Sequence, residues 1–142
     1  MDILAPEQRS ILMSRIRGKD TKPELTVRRI AHGLGFRFRV HRRDLPGNPD
    51  LVFPRLHKII FVHGCYWHRH PDCRYTYAPK SNVAFWQAKF DANVARDRRS
   101  VAELEKLGWQ VHVIWECETK NEGKLIRRLA TYLKNQTNPG TI

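Results

Sequence analysis

The chain has 142 residues, with 26 Lys and Arg against 14 Asp and Glu and a formal net charge of +12. This length suits one domain, and the 41% of hydrophobic residues is too high for a disordered basic tail. The apolar runs are too short to span a membrane and residues 1–30 show no signal-like pattern, so we expect a cytoplasmic protein with reduced cysteines.

The excess of positive charge predicts a polyanionic partner. Nucleic acid is the favoured partner because neutralisation of its phosphates releases counterions and drives binding. The alternative is a basic surface that is only solvated. Arginine dominates in several basic segments, and its planar guanidinium suits phosphate.

The hydrophobic pattern predicts two helices at the start of the chain. The first covers residues 6–17 and is followed by Gly18. The second begins at Thr21, with Glu24 three residues later in the spacing of a capping box, and ends near Gly33.

Three predicted strands follow, at residues 36–40, 51–53 and 58–62. The first alternates apolar and basic residues, whereas the other two are short buried runs. Residues 63–82 are predicted as a structured loop, 83–107 as a long helix, 109–115 as a strand, 123–133 as an amphipathic helix and 136–142 as a frayed tail. This order indicates an α/β fold, a mixed sheet flanked by helices.

A group of cysteines and histidines predicts a structural zinc site. It contains every cysteine of the chain, Cys65, Cys73 and Cys117, together with His68 and His70. Three thiolates and one imidazole form a common tetrahedral zinc set, and the spacing leaves open which histidine is the fourth ligand. The alternative is three buried cysteines beside a polar loop.

Asp50 and two histidines predict a catalytic metal site. Asp50 precedes one strand and His63 ends the next, an arrangement in which a carboxylate could hold Mg²⁺ beside a phosphodiester. His63 and His68 are candidate general bases near pH 7. Simpler roles remain open: Asp50 as a turn residue, the histidines as ligands, and Glu24 as a helix cap.

Two aromatic residues in the same loop, Tyr66 and Trp67, could stack on bases or pack in the core. Met13 could insert between bases similarly, although for this residue the pattern favours the core. Asp97 lies near the apolar stripe of the long helix, where we expect it to pair with an arginine.

These residues also resemble a known family. The segments "LPGNPDLVF", "HGCYWHRHPDC", "NVARDRR" and "LGWQVHVIWEC" are similar to the very short patch repair (Vsr) DNA mismatch endonucleases. The resemblance runs from about residue 9 to the last helix. It implies a restriction-endonuclease-like fold, one structural Zn²⁺, and Mg²⁺-dependent nicking of duplex DNA 5′ to the T of T·G mismatches that arise from 5-methylcytosine deamination.

The resemblance also implies a role for individual residues. Mg²⁺ would be held by Asp50 and the backbone carbonyl of Val62, His68 would be the general base, and His63 and Glu24 would order metal-bound waters. Zinc would be bound by Cys65, His70, Cys73 and Cys117, and Met13, Tyr66 and Trp67 would intercalate beside the mismatch. We expect one endonuclease domain over residues 1–142, with a DNA-contacting helix within 1–20.

The chain departs from the family pattern at three points. Tyr66 stands where relatives have Phe, and the spacing from His70 to Cys73 is one residue longer than in some of them. At the end of the strand 58–62, the residues "VHG" stand in place of the glutamate–x–lysine pair of most nucleases with this fold. The expected partners are mismatched DNA and mismatch-repair proteins, and the expected state is a monomer acting at the bacterial nucleoid.

Two other functions are compatible with part of the sequence. A zinc-stabilised DNA- or RNA-binding module would explain the charge, the cysteines and the aromatic residues, but gives no role to Asp50 with His63 and His68. A nuclease of the same fold that cuts matched DNA or junctions is the other alternative.

Overall fold

The computed structural model describes residues 20–135. The predicted first helix at 6–17, Met13 and the tail at 136–142 lie outside that range. The described elements are α1 (Lys22–Gly33), β1 (Leu51–Phe53), β2 (Lys58–His63), α2 (Val83–Lys106), β3 (Gln110–Trp115), a 3-10 helix (Glu116–Lys120) and α3 (Glu122–Lys134). Among these residues, no helix combines the length and apolar character needed to cross a bilayer.

Helix α1 begins at the predicted cap. Thr21 Oγ1 accepts the Glu24 N–H at 3.4 Å, while Glu24 Oε2 accepts the Asp20 N–H at 3.0 Å. The side chain of Glu24 therefore reaches one residue further back than in a standard capping box. The apolar face of the helix buries Val27, Ile30 and Ala31.

The strands form one mixed sheet in the order β1-β2-β3. β1 pairs antiparallel with β2, and β2 pairs parallel with β3. Parallel neighbours require a long crossover, and the loop after β2 together with α2 supplies it. Every residue of β2 is buried, as is typical of a strand that is covered on both faces.

Alternate residues of β2 enter two separate cores. Ile60 and Val62 pack with residues of α1 and α3, whereas Ile59 and Phe61 pack with Leu104 of α2. Because side chains alternate along a strand, His63 lies on the same side as Ile59 and Phe61, facing α2. The sheet therefore separates α1 and α3 from α2.

The predicted strand at residues 36–40 is wrong in extent. The described structure has only an isolated bridge there, in which Arg39 pairs with Val52 through two hydrogen bonds of 2.8 and 2.9 Å. Phe36 and Phe38 still pack against the core, and Arg39 is exposed. The alternation thus indicates correctly which side chains face inward, although the backbone does not continue a ladder.

The 3-10 helix was not predicted and is braced by α3. Glu118 Oε1 accepts the Trp115 N–H at 2.9 Å, and the carboxylate also pairs with Arg128 of α3. This contact holds the short turn that carries Cys117 directly after β3.

His112 of β3 is placed to make folding depend on pH. Its Nε2 accepts the Arg128 Nε–H at 2.9 Å, and its ring stacks on Tyr132 with centroids 4.4 Å apart. Burial lowers the pKa of His112 to about 4, and the positive charge of Arg128 acts in the same direction. The folded chain therefore disfavours the protonated imidazole.

We expect the His112 contribution to stability to be complete above pH 6.5 and to decrease as pH falls toward 4, because the unfolded chain binds the proton more readily. His112→Gln retains an acceptor for Arg128 but does not titrate. Its melting temperature should therefore fall less than that of the parent between pH 7 and pH 5. The exposed His32→Gln should follow the parent, and equal losses in parent and His112→Gln would contradict the prediction.

Candidate active site and metal centre

Asp50 is anchored to the end of β2. Leu51 pairs with Ile60, so Asp50 lies beside the last residues of β2. There its Oδ2 accepts the Val62 N–H at 2.6 Å. The antiparallel register thus brings the start of β1 to the edge of the sheet where His63 lies.

A cavity of about 290 Å³ opens at this edge of the sheet. Its charged and titratable lining residues are Glu24, Asp50, His63, His68, Arg96 and Asp97. They come from α1, from the turn before β1, from β2, from the loop after β2 and from α2. The structure therefore brings together all four residues predicted to be catalytic: Asp50, His63, His68 and Glu24.

The carboxyl group of Asp50 is poorly solvated. Burial raises its pKa to about 7, and the negative charge of Glu24 also raises it, while the Val62 N–H and Arg28 lower it. Glu24 itself accepts from Arg28 Nη2 at 3.2 Å. A divalent cation would restore the stabilisation of the charged carboxylate that water does not supply, so these oxygen ligands fit Mg²⁺.

The two histidines of the cavity form a stacked pair. The rings of His63 and His68 are 4.0 Å apart between centroids and 7° from parallel. Burial lowers the pKa of His63 to about 3, with a further lowering by His68 that Asp97 partly opposes. His63 is therefore a neutral imidazole at physiological pH.

Asp97 pairs with His68, so the expected arginine partner is wrong. Asp97 Oδ2 lies 2.7 Å from His68 Nδ1. Because an ionised carboxylate only accepts, the proton of a neutral His68 ring is held on Nδ1 and the lone pair on Nε2 is free to accept another. The spacing along α2 correctly placed Asp97 near the apolar stripe of the helix. Nothing in the sequence identified His68 as its partner.

The second group brings together Cys65, His70, Cys73 and Cys117, with one potential ligand atom of each within 4.8 Å of the others. Cys117 Sγ lies 3.5 Å from His70 Nδ1, close to the separation of neighbouring ligands around a tetrahedral zinc ion. Burial raises the pKa of the Cys65 thiol to about 12, and a bound cation would favour its thiolate. These residues fit Zn²⁺, and His70, not His68, belongs to this group.

Tyr66 and Trp67 of the loop after β2 form an aromatic cluster with Trp86 and Phe90 of α2. The rings of Tyr66 and Trp67 are 5.0 Å apart, and Phe90 lies 5.2 Å from Tyr66. Asn93 Nδ2 of α2 donates to the Trp67 carbonyl at 3.3 Å. Both loop residues are half-buried, so each ring packs on α2 and also keeps exposed surface.

The turn before Asp50 is held against α2 by a close contact that the sequence did not reveal. Gly47 has φ of +78°, and a Cβ atom there would lie 2.7 Å from the side chain of Ser100 and 3.1 Å from Phe61 Cζ. Only glycine therefore allows this approach without displacement.

Comparison with known proteins identifies the family. The family model for the DNA mismatch endonuclease Vsr matches residues 1–75. The type II nicking enzyme V.XorIIP of Xanthomonas oryzae pv. oryzae is 49% identical over 93% of this chain and 96% of its own length. The chain belongs to the Vsr family of DNA mismatch endonucleases.

Two further Vsr-related enzymes match most of the chain. The type II nicking enzyme V.NmeAIP of Neisseria meningitidis is 41% identical over 90% of this chain and 91% of its own length. The DNA mismatch endonuclease Vsr of Escherichia coli is 39% identical over 87% of this chain and 79% of its own length. The protein is thus an endodeoxyribonuclease of mismatch repair, and DNA is its partner.

We expect Gly47→Ala to destabilise this Vsr-family protein by about 2–4 kcal/mol, because overpacking against Ser100 adds to the cost of a left-handed alanine. Gly108→Ala is the matched control, since Gly108 has φ of +97° but no atom within 4 Å of the added Cβ. It should cost only about 1 kcal/mol. Urea denaturation measures both, and equal losses would contradict the close contact.

Proposed function

We propose that this Vsr-family endonuclease nicks one strand of duplex DNA on the 5′ side of the T in a T·G mismatch, in a Mg²⁺-dependent reaction. Such mismatches arise when 5-methylcytosine deaminates. The observation that carries the proposal is the shared cavity, which is lined both by Asp50 and by the hydrogen-bonded His68–Asp97 pair. The names of the relatives, a mismatch endonuclease and nicking enzymes, support the same reaction. A restriction-endonuclease-like architecture is part of the proposal.

Asp50 and the backbone carbonyl of Val62 would hold the Mg²⁺. When bound, the ion stabilises charge on the scissile phosphate and on the leaving 3′ oxygen. The Val62 N–H keeps Asp50 in place, since it occupies one carboxylate oxygen and leaves the other for a further partner. Glu24 and His63 line the same cavity and would order water molecules around the site.

His68 would be the general base. Asp97 accepts from Nδ1 and orients the ring, so Nε2 can take the proton of the attacking water. The stacked His63 is neutral and packs against Phe61, with ring centroids 5.4 Å apart, so it limits movement of the His68 ring without adding positive charge. The tautomer and the orientation of the His68 ring would thus both depend on Asp97.

Cys65, His70, Cys73 and Cys117 would hold a structural Zn²⁺. The role of this site would be to fix the loop between β2 and α2, because Cys117 lies in a different segment of the chain, just after β3. Thr76 Oγ1 reinforces the loop by donating to the carbonyls of His70 at 2.8 Å and Cys65 at 3.2 Å. Zinc binding would therefore keep His68 in position.

The half-buried rings of Tyr66 and Trp67 would intercalate beside the mismatch, together with Met13. A mispaired step costs less to unstack than a matched one, so insertion of rings favours the mismatch. Residues 1–20 would provide a DNA-contacting helix of the single domain 1–142. We further propose that the protein acts as a monomer at the bacterial nucleoid, with mismatch-repair proteins as partners.

Nicking of a labelled T·G duplex with Mg²⁺ tests the proposal, against matched and single-stranded DNA. We expect Asp50→Asn to reduce the rate by about 10³-fold or more while binding persists, because several kcal/mol of transition-state stabilisation are lost. Asp44→Asn is the control, since Asp44 is exposed and pairs with Arg42. Parental nicking by Asp50→Asn would refute the catalytic assignment, and equal cutting of matched DNA would refute the specificity.

The zinc assignment is tested independently by elemental analysis and thermal melting. Cys117→Ser should lose the bound zinc, about one ion per chain, and melt at a lower temperature because zinc binding is coupled to folding. His32→Gln, an exposed histidine outside both groups, should keep the metal and the melting temperature of the parent. A Cys117→Ser protein that retains zinc at the parental level would show that these residues do not bind it.

A further inference from the structure

One charged side chain of the cavity has no role in the proposed reaction. Arg96 lies on α2 next to Asp97 and is the only lysine or arginine among the described residues that line the cavity. The other charged lining residues are the carboxylates Glu24, Asp50 and Asp97. Three carboxylates repel a phosphodiester, so DNA can approach this cavity only if positive charge compensates for them.

The side chain of Arg96 is exposed, and its guanidinium has no polar partner within the described residues. Within residues 20–135 it makes no hydrogen bond, ion pair or ring contact, whereas Arg28 is bound by Glu24 and Arg128 by Glu118. The sequence of α2 explains why Arg96 has no ion-pair partner on its own helix. The positions three and four residues away on either side of Arg96 are Ala92, Asn93, Arg99 and Ser100, so none of them offers a carboxylate on the same helix face.

We infer that Arg96 is a catalytic residue that donates to the non-bridging oxygens of the scissile phosphate. This inference rests on the proposed function and deepens it. The planar guanidinium can bind two phosphate oxygens at once, and negative charge on those oxygens increases as the attacking water adds. A fixed cation at that point stabilises the transition state more than the ground state.

The positive charge of Arg96 would also favour binding of a phosphodiester in the cavity. With Arg96 among its lining residues, the cavity can accept a polyanion although its other charged walls are acidic. An arginine that contacts only distant phosphates would contribute to affinity and to its salt dependence, but not to the rate of the bound complex. The two roles are therefore separable by experiment.

The test measures single-turnover nicking at saturating protein with Mg²⁺. Arg96→Met should reduce the rate constant by about 10²-fold, the usual effect of removing one donor to a developing oxyanion. Arg98→Met is the matched control, because Arg98 is equally exposed on α2 but lies two residues away and does not line the cavity. It should nick at the parental rate once the duplex is bound.

Two further measurements separate a contact to the reacting phosphate from a structural effect. Arg96→Lys should recover part of the lost rate, and added guanidinium ion should accelerate Arg96→Ala but not the parent or Arg98→Met. Melting temperatures of the Arg96 variants should stay close to that of the parent, since the side chain is exposed and makes no hydrogen bond, ion pair or ring contact within the described residues.

Parental rates for Arg96→Met at saturation would overturn the inference, and so would a rate loss shared by Arg98→Met. These outcomes are distinct from failure of the proposed function. If the parent cuts matched duplex as well as T·G duplex, the mismatch specificity fails, and the comparison of Arg96→Met with Arg98→Met is made on the matched substrate. If the parent cuts no DNA, both the proposed function and the inference are wrong.

Discussion

The hydrogen bond from the Val62 N–H to Asp50 Oδ2 is the contact on which the rest of the site depends. It joins the turn before β1 to the end of β2, a strand buried along its whole length. Asp50 is desolvated in this position, and only a backbone donor and the nearby Arg28 favour its charged form. The sheet thus holds a carboxylate in a buried position where a divalent cation would stabilise its charged form.

The end of β2 supplies two different sites within three residues. His63 faces α2 and lines the cavity, whereas Cys65 belongs to the sulfur-rich group. His68 lies between Cys65 and His70 in the loop, but its side chain lines the cavity, where it is hydrogen-bonded to Asp97 of α2. Bracing of the loop by Cys117, after β3, therefore bears directly on the position of the proposed general base.

The cavity has three acidic lining residues, whereas the chain as a whole carries a net charge of +12. Burial and like charge favour a cation at Asp50, while the net charge of +12 draws in the duplex. Family membership makes the protein a DNA endonuclease, in preference to the alternative of a zinc-stabilised binding module. A binding module would give no role to Asp50, His63 and His68, and these three residues all line the cavity.

Sequence alone determined the family and most elements and indicated the candidate metal ligands, because these depend on local periodicity and on motifs within single segments. Thr21 and Glu24 predicted a helix start, and the run before His63 predicted a buried strand. The spacing left the fourth ligand open and only the family resemblance indicated His70; the structure brings His70 to Cys117 and shows the unpredicted pair of His68 with Asp97, contacts that join residues 47 and 29 positions apart. The predicted strand at 36–40 is reduced to a single bridge with Val52, and Gly47 lies against Ser100 of α2. Both features depend on packing between segments that are distant in the sequence, which no local pattern encodes.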